Sequence, residues 1–222
     1  LVAYYRSKGL QLMFMADLTD GLSRAQEAPQ LRALGRSITE PAVQQAYRNY
    51  VGAVMRVLQP EYIGLAAETN LIRLAAPAPV YGAVKQAANA AAADVRTAGY
   101  AGTVFVSVQV ETAWGKLGAP GPFVGIATDR ADFAFTQMIG LSSYPYFSFA
   151  RPEDLPADYY TRLLNGRTLP VAVVEGGWPS ASVGSVQSSP DLQARYIQRH
   201  APLLVSVRSR AVMQLLFAAA DL

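Results

Sequence analysis

The chain has 222 residues, of which 51% are hydrophobic and 16% charged, with a net charge of +3. That composition excludes an intrinsically disordered chain, and so small a charge excess without a basic run gives no electrostatic footprint for nucleic acid. With no cysteine and one histidine, His200, it excludes disulfides, thiolate metal sites and cysteine nucleophiles, and disfavours histidine metal sites and a Ser-His-Asp triad.

Residues 1–5 read as the tail of a helix that reaches Gly9. Six short apolar runs then follow: 10–18, 62–68, 104–111, 138–144, 171–175 and 211–217. Each is nearly continuous, which suits a strand buried on both faces of a parallel sheet. Four end on an acid: Asp17, Glu68, Glu111 and Glu175. A fifth ends on Tyr144.

Helical patterns separate the runs. Thr39 is the expected cap of the first, with Glu40 and Pro41 in its opening turn. Val43, Tyr47, Tyr50, Val51, Val54 and Leu58 then form one apolar stripe. Residues 80–98 are rich in alanine and close on Gly99. Residues 156–164 read as a short helix stopped by Asn165-Gly166. Ser189-Pro190-Asp191 opens the last helix with a cap, a proline and an acid. Residues 115–122 (GKLGAPGP) read as a surface loop.

Strand and helix alternate with a repeat of about 40 residues. The expected fold is α/β: an incomplete (β/α)8 barrel with about six of its eight units, forming one partial domain over 1–222. Two more repeats would give roughly 300 residues, within the range of such barrels. The chain begins and ends inside secondary structure, so the expectation is a fragment whose N-terminal strands are missing. The alternative is a six-stranded doubly wound sheet. That fold expects a Gly-rich phosphate loop after the first strand, and Asp17-Leu18-Thr19-Asp20-Gly21 is not one. No run reaches the ~18–20 residues of a membrane span, and no signal peptide is visible.

Glu68 and Glu175 carry the chemistry. In a barrel both would lie at the C-terminal face, where catalytic groups gather. Paired carboxyls are what acetal hydrolysis needs: one protonates the departing oxygen and the other attacks the anomeric carbon. The competing role for either glutamate alone is to cap the next helix or pair with Arg73.

The segments VVEGGWPS, IGLSSYPYF and LAAETN carry a resemblance. The first resembles the strand-seven nucleophile motif of clan A retaining glycoside hydrolases, above all the E-[ST]-G-W-P-S of the family 17 β-1,3-glucanases. The second is similar to the strand-six motif of families 17 and 53, the latter endo-β-1,4-galactanases. The third occupies the place of the strand-four acid/base motif, G-N-E-x-N. The order agrees, with 107 residues between the glutamates.

The resemblance spans nearly the whole chain, as strands three to eight. It implies a retaining O-glycosyl hydrolase, of endo-β-glycanase type, acting on a galactan- or β-glucan-like polysaccharide without a cofactor or metal. It favours a secreted or periplasmic protein, monomeric when full length. Glu68 matches the acid/base, Glu175 the nucleophile, and Tyr144 the tyrosine that holds the nucleophile. Two departures stand out. Ala67 replaces the usual Asn, and residues 213–217 lack the strand-eight tryptophan. They favour the second reading, a sugar-binding protein with little or no turnover.

Other candidates have competing packing roles. Trp178 offers a face to a sugar ring or packs under its loop. Asn70 binds sugar, orients Glu68 or caps a helix. Asp17 and Asp20 bind hydroxyls or cap the next helix. Gln109, Glu111 and Trp114 build a subsite or belong to the core. Tyr146, Phe147 and Phe149 form an aromatic rim or pack. Gln214 makes a polar contact or simply packs. His200 belongs to the surface or to packing. An aldolase or isomerase barrel is the remaining class, but Lys8, Lys85 and Lys116 all lie outside the strands.

Overall fold

A computed structural model describes residues 2–117 and 121–212, which cluster into two compact units. The first unit holds residues 2–107 and 128–138. It opens with helix α1 (Val2–Ser7), strand β1 (Met13–Met15) and helix α2 (Pro29–Ala33). Helix α3 (Pro41–Leu58), strand β2 (Tyr62–Gly64), helix α4 (Thr69–Ala75) and helix α5 (Ala78–Thr97) follow. The strands pair in chain order, β1 with β2 and β2 with β3 (Thr103–Gln109), all parallel. Ile63 faces Phe14 in one register and Val104 in the other.

The β1 and β2 strands are shorter than their apolar runs. Beyond Gly64 the pairing continues as separate bonds: Leu65 N–H to Phe105 O at 2.9 Å and Ser107 N–H to Ala66 O at 3.0 Å. The rest of the run is thus still guided along β3 as far as Glu68.

Helix α3 buries Tyr47, Val51 and Val54 of the expected stripe, whereas Tyr50 is exposed, its ring tilted 60° to that of Phe14 with centroids 6.0 Å apart. The cap of α3 is Glu40, not Thr39. The Glu40 carboxylate instead accepts from Ser37 N–H and the Arg36 guanidinium. Helix α5 contacts α3 and buries Val80, Ala83, Val84, Ala87, Ala88, Ala91, Ala92 and Val95. Their alternating three- and four-residue spacing makes one face.

The second unit holds the described residues of 108–127 and 139–212. The end of β3 leads into helix α6 (Val110–Ala113); helix α7 (Ala127–Asp132), all but its first residue in the first unit, precedes strand β4 (Met138–Ser143). Two 3₁₀ turns (Pro145–Phe147 and Pro152–Asp154), helix α8 (Thr161–Leu164), strand β5 (Val171–Gly176) and helix α9 (Pro190–Ser206) complete the described elements. The expected 156–164 helix is therefore only its last turn, ended by left-handed Asn165 and Gly166. Ser189 caps α9 as expected, accepting from Leu192 N–H at 3.2 Å.

Strands β4 and β5 are parallel, and their register slips by one residue between Leu141 and Ser142. Leu141 faces Val173, but Ser142 faces Glu175. The extra residue, Val174, is a bulge of the kind that re-aims a side chain. Val212 bridges Val173 in parallel, where a further strand was expected. Residues 213–217 of that run, Gln214 among them, and residues 118–120 of the 115–122 loop lie outside the described residues.

Candidate functional site

Each unit builds a carboxylate cluster at the end of a strand run. In the first, Glu68 sits just before α4 with left-handed backbone, φ 50°. Few non-glycine residues adopt that conformation, and it recurs where surroundings hold a side chain in a set direction. Here the Glu68 N–H donates to Ser107 Oγ at 2.9 Å. Its carboxylate accepts from Arg24 Nε at 2.8 Å.

Arg24 is buried, and the same guanidinium donates to Asp17 Oδ2 at 2.5 Å and Thr19 Oγ1 at 3.2 Å. A buried arginine needs such partners, and two carboxylates satisfy it. Arg73, named as the competing partner, instead pairs with buried Asp129 at 3.0 Å. Asp129 also accepts from Thr69 Oγ1 at 3.0 Å. Asn70 is buried at the start of α4, and its Oδ1 accepts from Leu71 N–H at 3.0 Å. Asp17 does not cap a helix, because none starts nearby. Its Oδ1 accepts from Leu18 N–H at 2.8 Å and Thr19 N–H at 3.3 Å. Asp20 likewise accepts from Leu22 N–H at 2.9 Å and pairs with Arg32.

In the second unit, Glu175 is half-buried on β5, and Tyr144 follows the end of β4. The Tyr144 hydroxyl donates to Glu175 Oε1 at 2.5 Å, and Ser142 Oγ lies 3.5 Å from Oε2. Gly176 follows because nothing larger fits: a Cβ there would lie 2.3 Å from Ser143 O. Gly177 N–H donates to that same oxygen at 3.3 Å.

Trp178 has no exposed surface. Its ring lies between Tyr196 at 5.4 Å and Tyr146 at 6.0 Å, and Nε1–H donates to Ser188 Oγ at 3.0 Å. It packs rather than offering a face to sugar. Tyr146 is half-buried and sits 4.5 Å from the Phe147 ring. Phe147 is 52% exposed. The segment from Tyr146 to Ala150 lines a cavity of about 360 Å³ with residues 185–187.

Glu111, Gln109 and Trp114 are core residues, not a subsite. Trp114 stacks on Tyr159 at 5.5 Å and donates to its carbonyl at 2.9 Å. Gln109 caps α6 through Thr112 N–H. Glu111 is fully buried, and burial pushes its carboxyl up to about 7. His200 is also buried, stacked on Tyr196, and burial pulls its imidazole down to about 4.

Sequence reading missed Arg24, Ser107 and Tyr159. Arg24 lies in a polar loop, and nothing local marks it as buried. The burial of a loop arginine at a carboxylate 44 residues away is a tertiary fact.

No family model matches the chain, and no curated protein matches it in sequence. Solved structures do resemble it. The GH53 catalytic domain of Ignisphaera aggregans superposes with a TM-score of 0.62 at 14% identity, covering 98% of this chain and 65% of that one. The chain has the fold of a (β/α)8 barrel, in part. The GH1 β-glucosidase of Exiguobacterium antarcticum gives a TM-score of 0.61 at 10% identity, covering 98% of this chain and 67% of that one. An enzyme of Alicyclobacillus herbarius, named AHE, gives 0.60 at 10% identity, with 98% and 66% covered. The chain thus spans about two thirds of the length of these proteins. Its structural neighbours include glycoside hydrolases, and its fold is glycosidase-like. Among the described residues, no helix is long and apolar enough to cross a membrane.

Proposed function

We propose that this chain carries the catalytic carboxyls of a retaining O-glycosyl hydrolase that cleaves a galactan- or β-glucan-like polysaccharide. Glu175 is the nucleophile and Glu68 the acid/base. The contact that supports this most is the one from Tyr144 to Glu175 Oε1, 2.5 Å long, set by adjacent parallel strands and a bulge. A phenol on one carboxylate oxygen fixes the rotamer and leaves the other oxygen to attack the anomeric carbon. Glu68 gives its proton to the departing oxygen. A glycosyl ester then forms on Glu175, and a water deprotonated by Glu68 releases it.

The test uses the whole protein on a panel of polysaccharides. Glu68→Gln lowers kcat by about 10² to 10⁴, and Glu175→Ala removes measurable turnover. NMR of the first-formed product reads its anomeric configuration. Retention is expected; inversion, or hydrolysis unchanged in either variant, sinks the assignment.

A second reading, sugar binding without turnover, has its own support. Ala67 is buried where an amide was expected, and Arg24 holds one Glu68 oxygen. Tight oligosaccharide binding by a wild-type protein that does not hydrolyse the panel selects it.

A further inference from the structure

The double displacement has no use for a third carboxyl that substrate cannot touch, yet four donors converge on Glu111. The Tyr159 hydroxyl and Ser143 Oγ (3.4 Å) reach Oε1. Gln109 Nε2 (2.5 Å) and the Tyr144 main-chain N–H (3.1 Å) reach Oε2. Tyr144 is therefore tied at both ends to a carboxylate: its amide to Glu111 and its phenol to Glu175. Its backbone, at φ −122° and ψ 70°, joins β4 to a 3₁₀ turn at Pro145–Phe147, whose Phe147 N–H donates to the Tyr144 carbonyl at 3.1 Å, while the Tyr144 N–H is held by Glu111. We infer that Glu111 is a positioning residue, which fastens the Tyr144 main chain so that the Tyr144 hydroxyl is aimed at Glu175. The kinetic consequence rests on the glycosidase reading; the structural one does not.

The donor set also says how Glu111 would carry a proton. The N–H groups of Tyr144 and Gln109 cannot reverse, whereas the hydroxyls of Tyr159 and Ser143 can rotate and accept. A proton therefore settles on Oε1, and Oε2 keeps the Tyr144 N–H. That bond then changes from charge-assisted to neutral and weakens. Burial, opposed by these hydrogen bonds, sets the change near pH 7.

The neighbouring titratable groups are few. Tyr159 and Tyr160 precede α8, Tyr144 and Tyr146 follow β4, Tyr196 and His200 lie on α9, and Glu175 is on β5. Burial raises Tyr146, Tyr159, Tyr160 and Tyr196 and lowers His200 to about 4. Of the nearby cations, Lys116 lies over the Phe149 ring and Arg162 over the Trp114 ring.

The test is an NMR titration of the whole protein labelled with ¹⁵N-tyrosine, with the Tyr144 amide assigned through Tyr144→Phe. In the wild type that amide shifts with a midpoint near pH 7. In Glu111→Gln, a permanently neutral mimic of the protonated form, it does not. Wild-type kcat falls by about tenfold as pH drops through that midpoint, the difference between a charged and a neutral hydrogen bond. Glu111→Gln stays on the lower plateau at every pH with KM within about twofold. A side chain that only supports the fold would lower stability without this pH signature.

A Tyr144 amide that ignores pH between about 5 and 9 overturns the inference, as does a variant matching the wild type above the midpoint. If Glu111→Gln does not fold, the wild-type titration still decides. A titrating amide in a protein that hydrolyses nothing leaves the positioning intact and removes only the glycosidase reading.

Discussion

The bond from Tyr144 to Glu175 is a phenol donating to a carboxylate, the stronger kind of hydrogen bond. Its loss is worth about 1.5–3 kcal/mol when the acceptor is charged. Tyr144→Phe should therefore lower kcat by about 10- to 100-fold with little change in KM, measured on the same polysaccharide as the wild type. An unchanged kcat would show that the phenol does not serve the reaction. Arg24 poses a different problem. Its side chain is 6% exposed and bridges Glu68 at 2.8 Å and Asp17 at 2.5 Å. Arg24→Met leaves both carboxylates without that partner, one of them buried. Urea unfolding should show a loss of about 3 kcal/mol, and adding Glu68→Gln should recover part of it. Equal losses in the single and double variants would mean that the pairing with Glu68 contributes nothing.

Elements bring these side chains together, and the β4–β5 pair shows how. The apolar runs marked both strands, and the Tyr-Pro and Glu-Gly-Gly-Trp-Pro-Ser motifs marked their ends. The bulge at Val174 left no trace, because a one-residue slip keeps the same residues in the same order. Nor was the role of Gly176 legible: the sequence shows a glycine but not the Ser143 carbonyl against it. Gly176→Ala would put a methyl 2.3 Å from that oxygen. The backbone must move, at a cost of about 1–3 kcal/mol, and Glu175 moves with it. Thermal unfolding and the kcat of the variant should both fall; a variant as stable and active as the wild type would show that the strand end yields freely.

Helix α9 was read correctly from its cap, and His200 packs, one of the two roles expected of it. Its pairing with Tyr160 at 2.8 Å, across 40 residues, was not readable. Burial lowers His200 from 6.5 to about 4, so between these values the unfolded chain binds the extra proton. Stability present above pH 6.5 is therefore lost as pH falls toward about 4. The full effect is about 3 kcal/mol. Glu111, raised from 4.5 to about 7, acts oppositely: its contribution falls as pH rises through that window. The net profile is shallow, so the comparison must be with His200→Gln, which keeps a partner for Tyr160. The wild type should lose stability relative to the variant as pH falls from 6.5 to 4. A pH-independent difference would show that His200 does not resist protonation.

At the scale of the molecule, each unit has its own core. One gathers around Val51, Val84, Ala87 and Ile63, the other around Trp178, Tyr196, Ile139 and Val171. The alternation of runs and helices made a barrel legible, but no periodicity reveals how apolar side chains divide into clusters, since both draw on the same repeat. Cores that share few side chains can open as separate cooperative units within one domain. Both tryptophans, Trp114 and Trp178, belong to the second core, so their fluorescence reports only that core. Far-ultraviolet circular dichroism reports helices of both units. Val84→Ala removes two buried carbons from the first core, at a cost of about 1–2 kcal/mol. In the whole protein it should shift the circular dichroism transition to lower denaturant while the tryptophan transition stays in place. A shift of both by the same amount would mean that the two cores unfold as one, and that the boundary between them carries no thermodynamic weight.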